Sequence, residues 1–249
     1  MNRDIAVLKA LLSKAKDWQI ITENPLQGFK PFKVDSIAIV RYLSKDEEIR
    51  LKETLQLRDE ELKQARARAN LWRAERDYDV YPDLSKFYFA DYMTPMILLS
   101  LNTGLRRGEL FRLQWKNINF ELAVLTVSGD TAKSGKTRHV PLNTVALNVL
   151  KKWSEQSHTD VFVFTNIKTG LPFDNVKKAW ISILVSAEIE NFRWHDMRHH
   201  FASKLVMAGV DLNTVRELLG HADIKMTLRY AHLAPEHKAK AVAKLVEAA

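Results

Sequence analysis

Thr103-Gly104-Leu105-Arg106-Arg107-Gly108-Glu109-Leu110 is the stretch on which the reading of this 249-residue chain turns. Gly104 has the position of a glycine that closes a helix, and Arg106 stands at the start of the next one. A guanidinium is a planar fork that donates two hydrogen bonds and keeps its charge, which suits a phosphate. A helix start adds backbone donors for the same anion. Glu109, three residues on, is placed to hold Arg106. The same residues also describe a surface arginine paired to a glutamate on one turn, so the octapeptide alone leaves both readings open.

Upstream, Phe87 to Leu101 is aromatic and aliphatic and predicts a buried helix with an interruption at Pro95. Ser44-Lys45-Asp46-Glu47 is a capping box, from which a charged helix should run to about Arg76. Its Arg66, Arg68 and Arg73, set among glutamates, read as a solvated face with i,i+4 pairs in preference to a face for a polyanion. Between Arg3 and Trp18, the residues Ile5, Leu8, Leu11, Leu12, Ala15 and Trp18 recur at helical spacing. Asn24-Pro25-Leu26-Gln27-Gly28 should end that helix, and Lys30 to Val34 reads as a linker.

Downstream, Ala123 to Val127 and Thr137 to Leu142 read as strands. Turn chemistry lies between them, in Ser128-Gly129-Asp130 and Lys133-Ser134-Gly135-Lys136. Further helices are expected over Asn143 to Glu155, Asn175 to Ala187, Asp196 to Ala208 and Asn213 to Leu219. These elements predict an α+β fold, mainly helical with a small antiparallel sheet.

Hydrophobic content of 46% is that of a globular chain, and a net charge of +8 favours a polyanionic partner. No run approaches the roughly 18 apolar residues of a membrane span. The start Met-Asn-Arg-Asp-Ile-Ala-Val-Leu-Lys lacks the apolar core of a signal peptide. With no cysteine, disulfides, thiolate metal sites and cysteine nucleophiles are excluded, and a cytoplasmic location is expected.

Three further stretches can carry chemistry. In His195-Asp196-Met197-Arg198-His199, His195 and Arg198 share one helix face. His195 and His199 have the spacing of a zinc pair, but Asp196 stands where a metallopeptidase needs glutamate, and a third ligand would have to come from His221 or His232. Leu218-Leu219-Gly220-His221 sets a histidine after a helix-ending glycine. Asp223 then caps another helix, which carries Tyr230. Taken alone, Tyr230 is equally a tyrosine at the edge of the core.

In order, type and spacing, Thr103 to Leu110, His195 to Arg198, Leu219 to His221 and Tyr230 resemble the catalytic domain of the tyrosine recombinases, the phage integrase family. The likeness spans about residues 36 to 235 apart from the charged helix. It implies a tyrosine recombinase/type IB topoisomerase-like fold. Residues 1–35 become the last helix and linker of a core-binding domain, 36–234 the catalytic domain with a charged helical insertion over about 50–80, and 235–249 a helical tail. By the same resemblance Tyr230 is the nucleophile, Arg106 and Arg198 grip the scissile phosphate, and His195 and His221 assist, while the support of Arg106 by Glu109 rests on their spacing. The hairpin lysine of the family matches Lys133 best, with Lys136 and Arg138 as rivals. Met197 and His200 stand where relatives often have leucine and threonine.

The activity implied is a site-specific recombinase or integrase of a prophage or genomic island. It would cleave and rejoin double-stranded DNA through a 3′-phosphotyrosine, as a tetramer, with no cofactor or metal. A type IB topoisomerase-like enzyme and a non-catalytic DNA-binding protein of the same fold are the alternatives. The tail from Pro235 to Ala249, with Ala239, Val242, Ala243 and Val246 along one side, suits docking on a neighbouring protomer, and the same stripe also suits packing on its own domain.

Overall fold

The computed structural model describes residues 1–32, 40–129, 135–157 and 161–234. It divides into two compact units, Met1–Ile39 and Val40–Ala249.

The first unit contains α1 (Asn2–Asp17), in which no residue is buried. The helix ends seven residues before the Asn-Pro pair predicted to stop it. Gln19 takes a left-handed conformation, φ 58°, and the Ile20 and Gln19 amides donate back to Ala15 O and Lys16 O. That pattern caps the last turn without a glycine. Asn24 instead ties the return segment to the helix. Its side-chain amide donates to Lys9 O and Ser13 Oγ while its oxygen accepts from Leu26 N.

The second unit opens with α2 (Lys45–Ala74), whose N-terminus has the predicted capping box between Ser44 and Glu47. Of the stretch about 50–80, Leu51 and Leu55 are fully buried in the main core, and Asp59 is buried beside Thr94. Farther along, the arginines do not form the expected i,i+4 pairs. Arg66 donates to Pro82 O and lies over the Tyr81 ring, and Arg73 lies over Tyr78 and Tyr81. The chain folds back on the helix here, so the Arg66 and Arg73 guanidinium groups meet carbonyls and rings from the returning loop.

Next comes α3 (Met93–Thr103), nearly all of it buried. It begins six residues after the predicted start. Asp91 accepts from Met93 N, and Pro95 sits in the first turn, where its missing amide hydrogen costs nothing. Gly104 ends it with φ 61°. A Cβ at this position would come within 2.4 Å of the Phe201 ring, so both the backbone angle and the packing require glycine.

After the short α4 (Arg107–Phe111) come β1 (Ile118–Asn119), β2 (Val124–Val127) and β3 (Arg138–Pro141). They form one antiparallel sheet in the order β1-β2-β3, with Leu125 opposite Val140 and Val127 opposite Arg138. The two-residue β1 was not foreseen, being too short to show alternation. The chain continues as α5 (Thr144–Gln156, capped by Asn143), α6 (Lys177–Ser186), α7 (Asp196–Met207) and α8 (Leu212–Leu219). Two 3-10 helices follow, Ile224–Met226 and Leu228–Leu233. Tyr230 therefore lies on a 3-10 helix and not on the longer helix predicted there.

The main core joins α2, α3, the sheet, α5 and α6. A smaller cluster of Val40, Ala202, Val206, Val215, Leu219 and Tyr230 packs α7 on α8. No helix among the described residues is long and apolar enough to cross a membrane. The fold is α+β, mainly helical with a small antiparallel sheet. Lys133 and the tail from Pro235 to Ala249 lie outside the described residues.

Candidate active site

Three arginines converge on the C-terminal end of α8. The last carbonyls of a helix have no partner within it and carry the negative end of its dipole, so they attract cations. Arg138 Nε donates to Leu218 O at 3.0 Å, Arg198 Nη2 to Leu219 O, and Arg106 Nη2 to Gly220 O at 3.1 Å. Three successive carbonyls thus take one guanidinium each. Gly220, φ 63°, permits the approach, since a Cβ there would stand 2.9 Å from Arg138 Cδ.

The arginines are tied at their other ends too. Glu109 Oε1 accepts from Arg106 Nη1 at 2.8 Å and Arg138 Nη1 at 3.1 Å. Its Oε2 accepts from Arg106 N at 2.8 Å and Arg138 Nη2 at 2.7 Å. Burial pushes the Glu109 carboxyl up, but Arg138 and Arg106 outweigh it and hold the acid below its usual range. Arg198, in the first turn of α7 and 3% exposed, donates from Nη1 to Gly104 O at 2.8 Å. It therefore joins the ends of α3 and α8. Burial and the neighbouring Arg106 pull its guanidinium down to about 9, still charged at neutral pH.

Arg106, His195, Arg198, His221 and Tyr230 line one pocket of about 390 Å³, together with His199, Met226 and Arg229. His195 precedes α7 and is exposed. Partial enclosure and then Arg198 lower its pKa. His221 is buried just after Gly220, with Nδ1 2.9 Å from Thr227 Oγ1. Burial and the positive charge of Arg198 and Arg106 bring its pKa down to about 3, so the ring is neutral at pH 7.

Tyr230 is 1% exposed, its ring set in the smaller core cluster. Its hydroxyl lies 2.6 Å from Nδ1 of His199. Burial raises the phenol's pKa, against the pull of Arg198 and Arg229.

Sequence reasoning missed two of these residues. His199 was weighed only as a zinc partner of His195. The two rings meet edge to face with centroids 5.1 Å apart, and His221 faces Thr227. Among the described residues no group of three or more histidines or acids could hold a metal. Arg138 was considered only as a rival of Lys133. Its side chain is buried between Glu109 and α8, a pairing across long sequence separation with no local signal. His200 is buried with Nδ1 accepting from Leu43 N, away from the pocket.

Solved structures with similar folds are recombinase proteins. The Tn1549 transposon integrase (aa 82–397, Y379F), solved in complex with transposon right end DNA, has a TM-score of 0.68 at 22% identity. That match covers 99% of this chain and 78% of the other. The catalytic domain of bacteriophage HP1 integrase gives 0.53 at 23% identity, covering 82% of this chain and 95% of that one. Such a helical domain with a small sheet defines the tyrosine recombinase fold. The model of the phage integrase family matches residues 82–237, more than half of the sequence, and the chain belongs to that family. It is 39% identical over 152 residues to an integrase of Salmonella phage P22, covering 57% of this chain and 39% of the relative. It is also 33% identical over 149 residues to the tyrosine recombinase XerC of Xanthomonas campestris pv. campestris, covering 58% of this chain and 45% of that one. The chain thus spans less than half the length of these two relatives.

Proposed function

We propose that this chain cleaves and rejoins double-stranded DNA as a site-specific recombinase, through a 3′-phosphotyrosine on Tyr230. The observation that carries this reading is the convergence of Arg106, Arg198, His195, His221 and Tyr230 on one pocket. Attack on a phosphodiester needs a nucleophile, stabilisation of charge on the non-bridging oxygens and a proton for the leaving oxygen. Tyr230 supplies the first. Arg106 and Arg198 supply the second, with Glu109 and the helix-end carbonyls fixing the guanidinium planes before substrate arrives. His195 and His221 donate hydrogen bonds to the same phosphate. By resemblance, Lys133 protonates the departing 5′ oxygen. Because the phosphotyrosine conserves the bond energy, rejoining requires neither ATP nor a metal ion.

The names of the relatives, integrase and XerC recombinase, support strand exchange between sites, and the phage relative supports a prophage or island origin. On this reading four copies assemble on two duplexes, and the tail from Pro235 to Ala249 passes to a neighbour. Residues 1–35 belong to the domain that closes over DNA from the other side. An apolar-sided helix that buries none of its own residues supports that assignment.

The test uses a randomised library of suicide duplexes, nicked so that the leaving strand diffuses away. The protein should capture a subset covalently, and intact duplexes carrying the captured sequence should then exchange strands. Adduct formation without exchange would reduce the activity to relaxation of single duplexes. No adduct at all would overturn the reading.

A further inference from the structure

We infer that His199 is the general base of the reaction, taking the phenolic proton of Tyr230 on Nδ1 and returning it when the strand is rejoined. The inference rests on the proposed nucleophilic role of Tyr230 and adds a residue which that role leaves unassigned.

The hydroxyl of Tyr230 stands 2.6 Å from His199 Nδ1, short for a hydrogen bond between two neutral groups. Tyr230 is almost wholly enclosed, and this ring is the partner the structure gives its hydroxyl. The other candidate acceptors near the pocket are committed. Glu109 is held by Arg106 and Arg138, and Asp196 by the Arg193 backbone and guanidinium. His221 faces Thr227, and the exposed His195 meets His199 edge to face.

A base must be unprotonated before it acts. Burial, then His195, Arg229 and Arg198 bring the His199 pKa down to about 4, against Asp196, which raises it. The ring is therefore neutral at pH 7 and accepts from the phenol. A phosphate bound in the pocket places negative charge beside Arg198 and Arg229. This offsets the two guanidinium charges that disfavour the imidazolium, so the base strengthens when substrate is present. In cleavage the phenol O–H bond breaks and Nδ1–H forms, while the phenolic oxygen bonds to phosphorus and the bond from phosphorus to the 5′ oxygen breaks. That oxygen leaves with a proton from the hairpin lysine or from water. In rejoining, the 5′ hydroxyl gives its proton back to the hairpin lysine or to water as its oxygen bonds to phosphorus, the phosphorus–tyrosine bond breaks, and the departing tyrosine oxygen recovers the proton from Nδ1.

The test is single-turnover cleavage of a suicide duplex of the sequence that the unmodified protein captures from the randomised library. Rates are measured from pH 6 to 9 for the unmodified protein, His199→Ala and His199→Gln. At pH 7 both variants should lose about 10²- to 10⁴-fold, the usual contribution of a positioned base. Without a base the rate follows the phenolate fraction, so the ratio of unmodified to variant rates should fall about tenfold per pH unit. Added imidazole should restore part of the His199→Ala rate. His199→Gln keeps a hydrogen-bonding side chain against Tyr230 and guards against a variant that fails to fold, with thermal melts reporting the fold of each. Variant rates equal to the unmodified one, or lower by one constant factor at every pH without imidazole rescue, would overturn the inference. In that case the unmodified protein still forms its adduct, whereas absence of that adduct means the nucleophile reading itself has failed.

Discussion

Arg198 ties two helix ends together at the edge of the pocket, where the proposed reaction needs a guanidinium. Its two terminal nitrogens reach carbonyls at the ends of different helices, Gly104 O and Leu219 O, while its face borders the pocket. A lysine ammonium can occupy one of those places but has no second arm. Arg198→Lys should therefore lose at least about two orders of magnitude in cleavage while the protein still binds DNA, measured by adduct formation and gel shift. Near-normal cleavage would place the phosphate elsewhere. The pairing of Arg106 with Glu109 was legible because both belong to one turn. The sharing of Glu109 with Arg138 was not, because it depends on where β3 docks. Arg138→Ala leaves a buried carboxylate with one cation where it had two, which should cost about 3 kcal/mol of stability at pH 7 in denaturant unfolding. The folded pKa of Glu109 is depressed, so its contribution is present above pH 4.5 and disappears as pH falls through the lower folded value. The gap between Arg138→Ala and the unmodified protein should narrow accordingly in acid.

Helices whose signals are local were found in the sequence almost to the residue. Ser44 and Glu47 cap α2, Asn143 caps α5, and Gly104 and Gly220 close α3 and α8. Errors arose where a boundary depends on a non-local partner or on unusual backbone, as at Gln19, or at Met93 with Asp91 as its cap. The charged α2 is the instructive case. Its arginine-bearing part reads as a solvated face, whereas the spacing of Leu51, Leu55 and Asp59 buries one side of its first half. Asp59 is held at about 6 by burial, against a hydrogen bond from Thr94 and with Asp91 nearby. A raised folded pKa in an acid means that ionisation disfavours the fold, increasingly as pH rises from about 4 to 6 and constantly above. Asp59→Asn keeps an acceptor for Thr94 Oγ1 and removes the charge. It should stabilise the protein at pH 8 by at most about 3 kcal/mol, with no gain near pH 4. Thermal melts at the two pH values check this, and a gain of equal size at both would assign the effect to something other than the charge.

Taken whole, the second unit is two hydrophobic clusters with the pocket at their junction. Tyr230 is seated in the smaller cluster, Arg106 follows the end of α3 from the larger, and Arg198 links them. That arrangement explains why four motifs separated by up to 127 positions, from Thr103 to Tyr230, act as one signature. Their order and spacing made the family legible from sequence, and the match over residues 82–237 agrees. The contact between His199 and Tyr230 was not legible, because it depends on how α7 packs on the last 3-10 helix. The central claim is that Tyr230 is the nucleophile that attacks DNA. It is tested most directly by trapping the protein on a suicide duplex, digesting both partners and locating the modified residue by mass spectrometry. The account predicts a nucleotide adduct on Tyr230 and none in Tyr230→Phe. An adduct on another residue, or one formed by Tyr230→Phe, would contradict it.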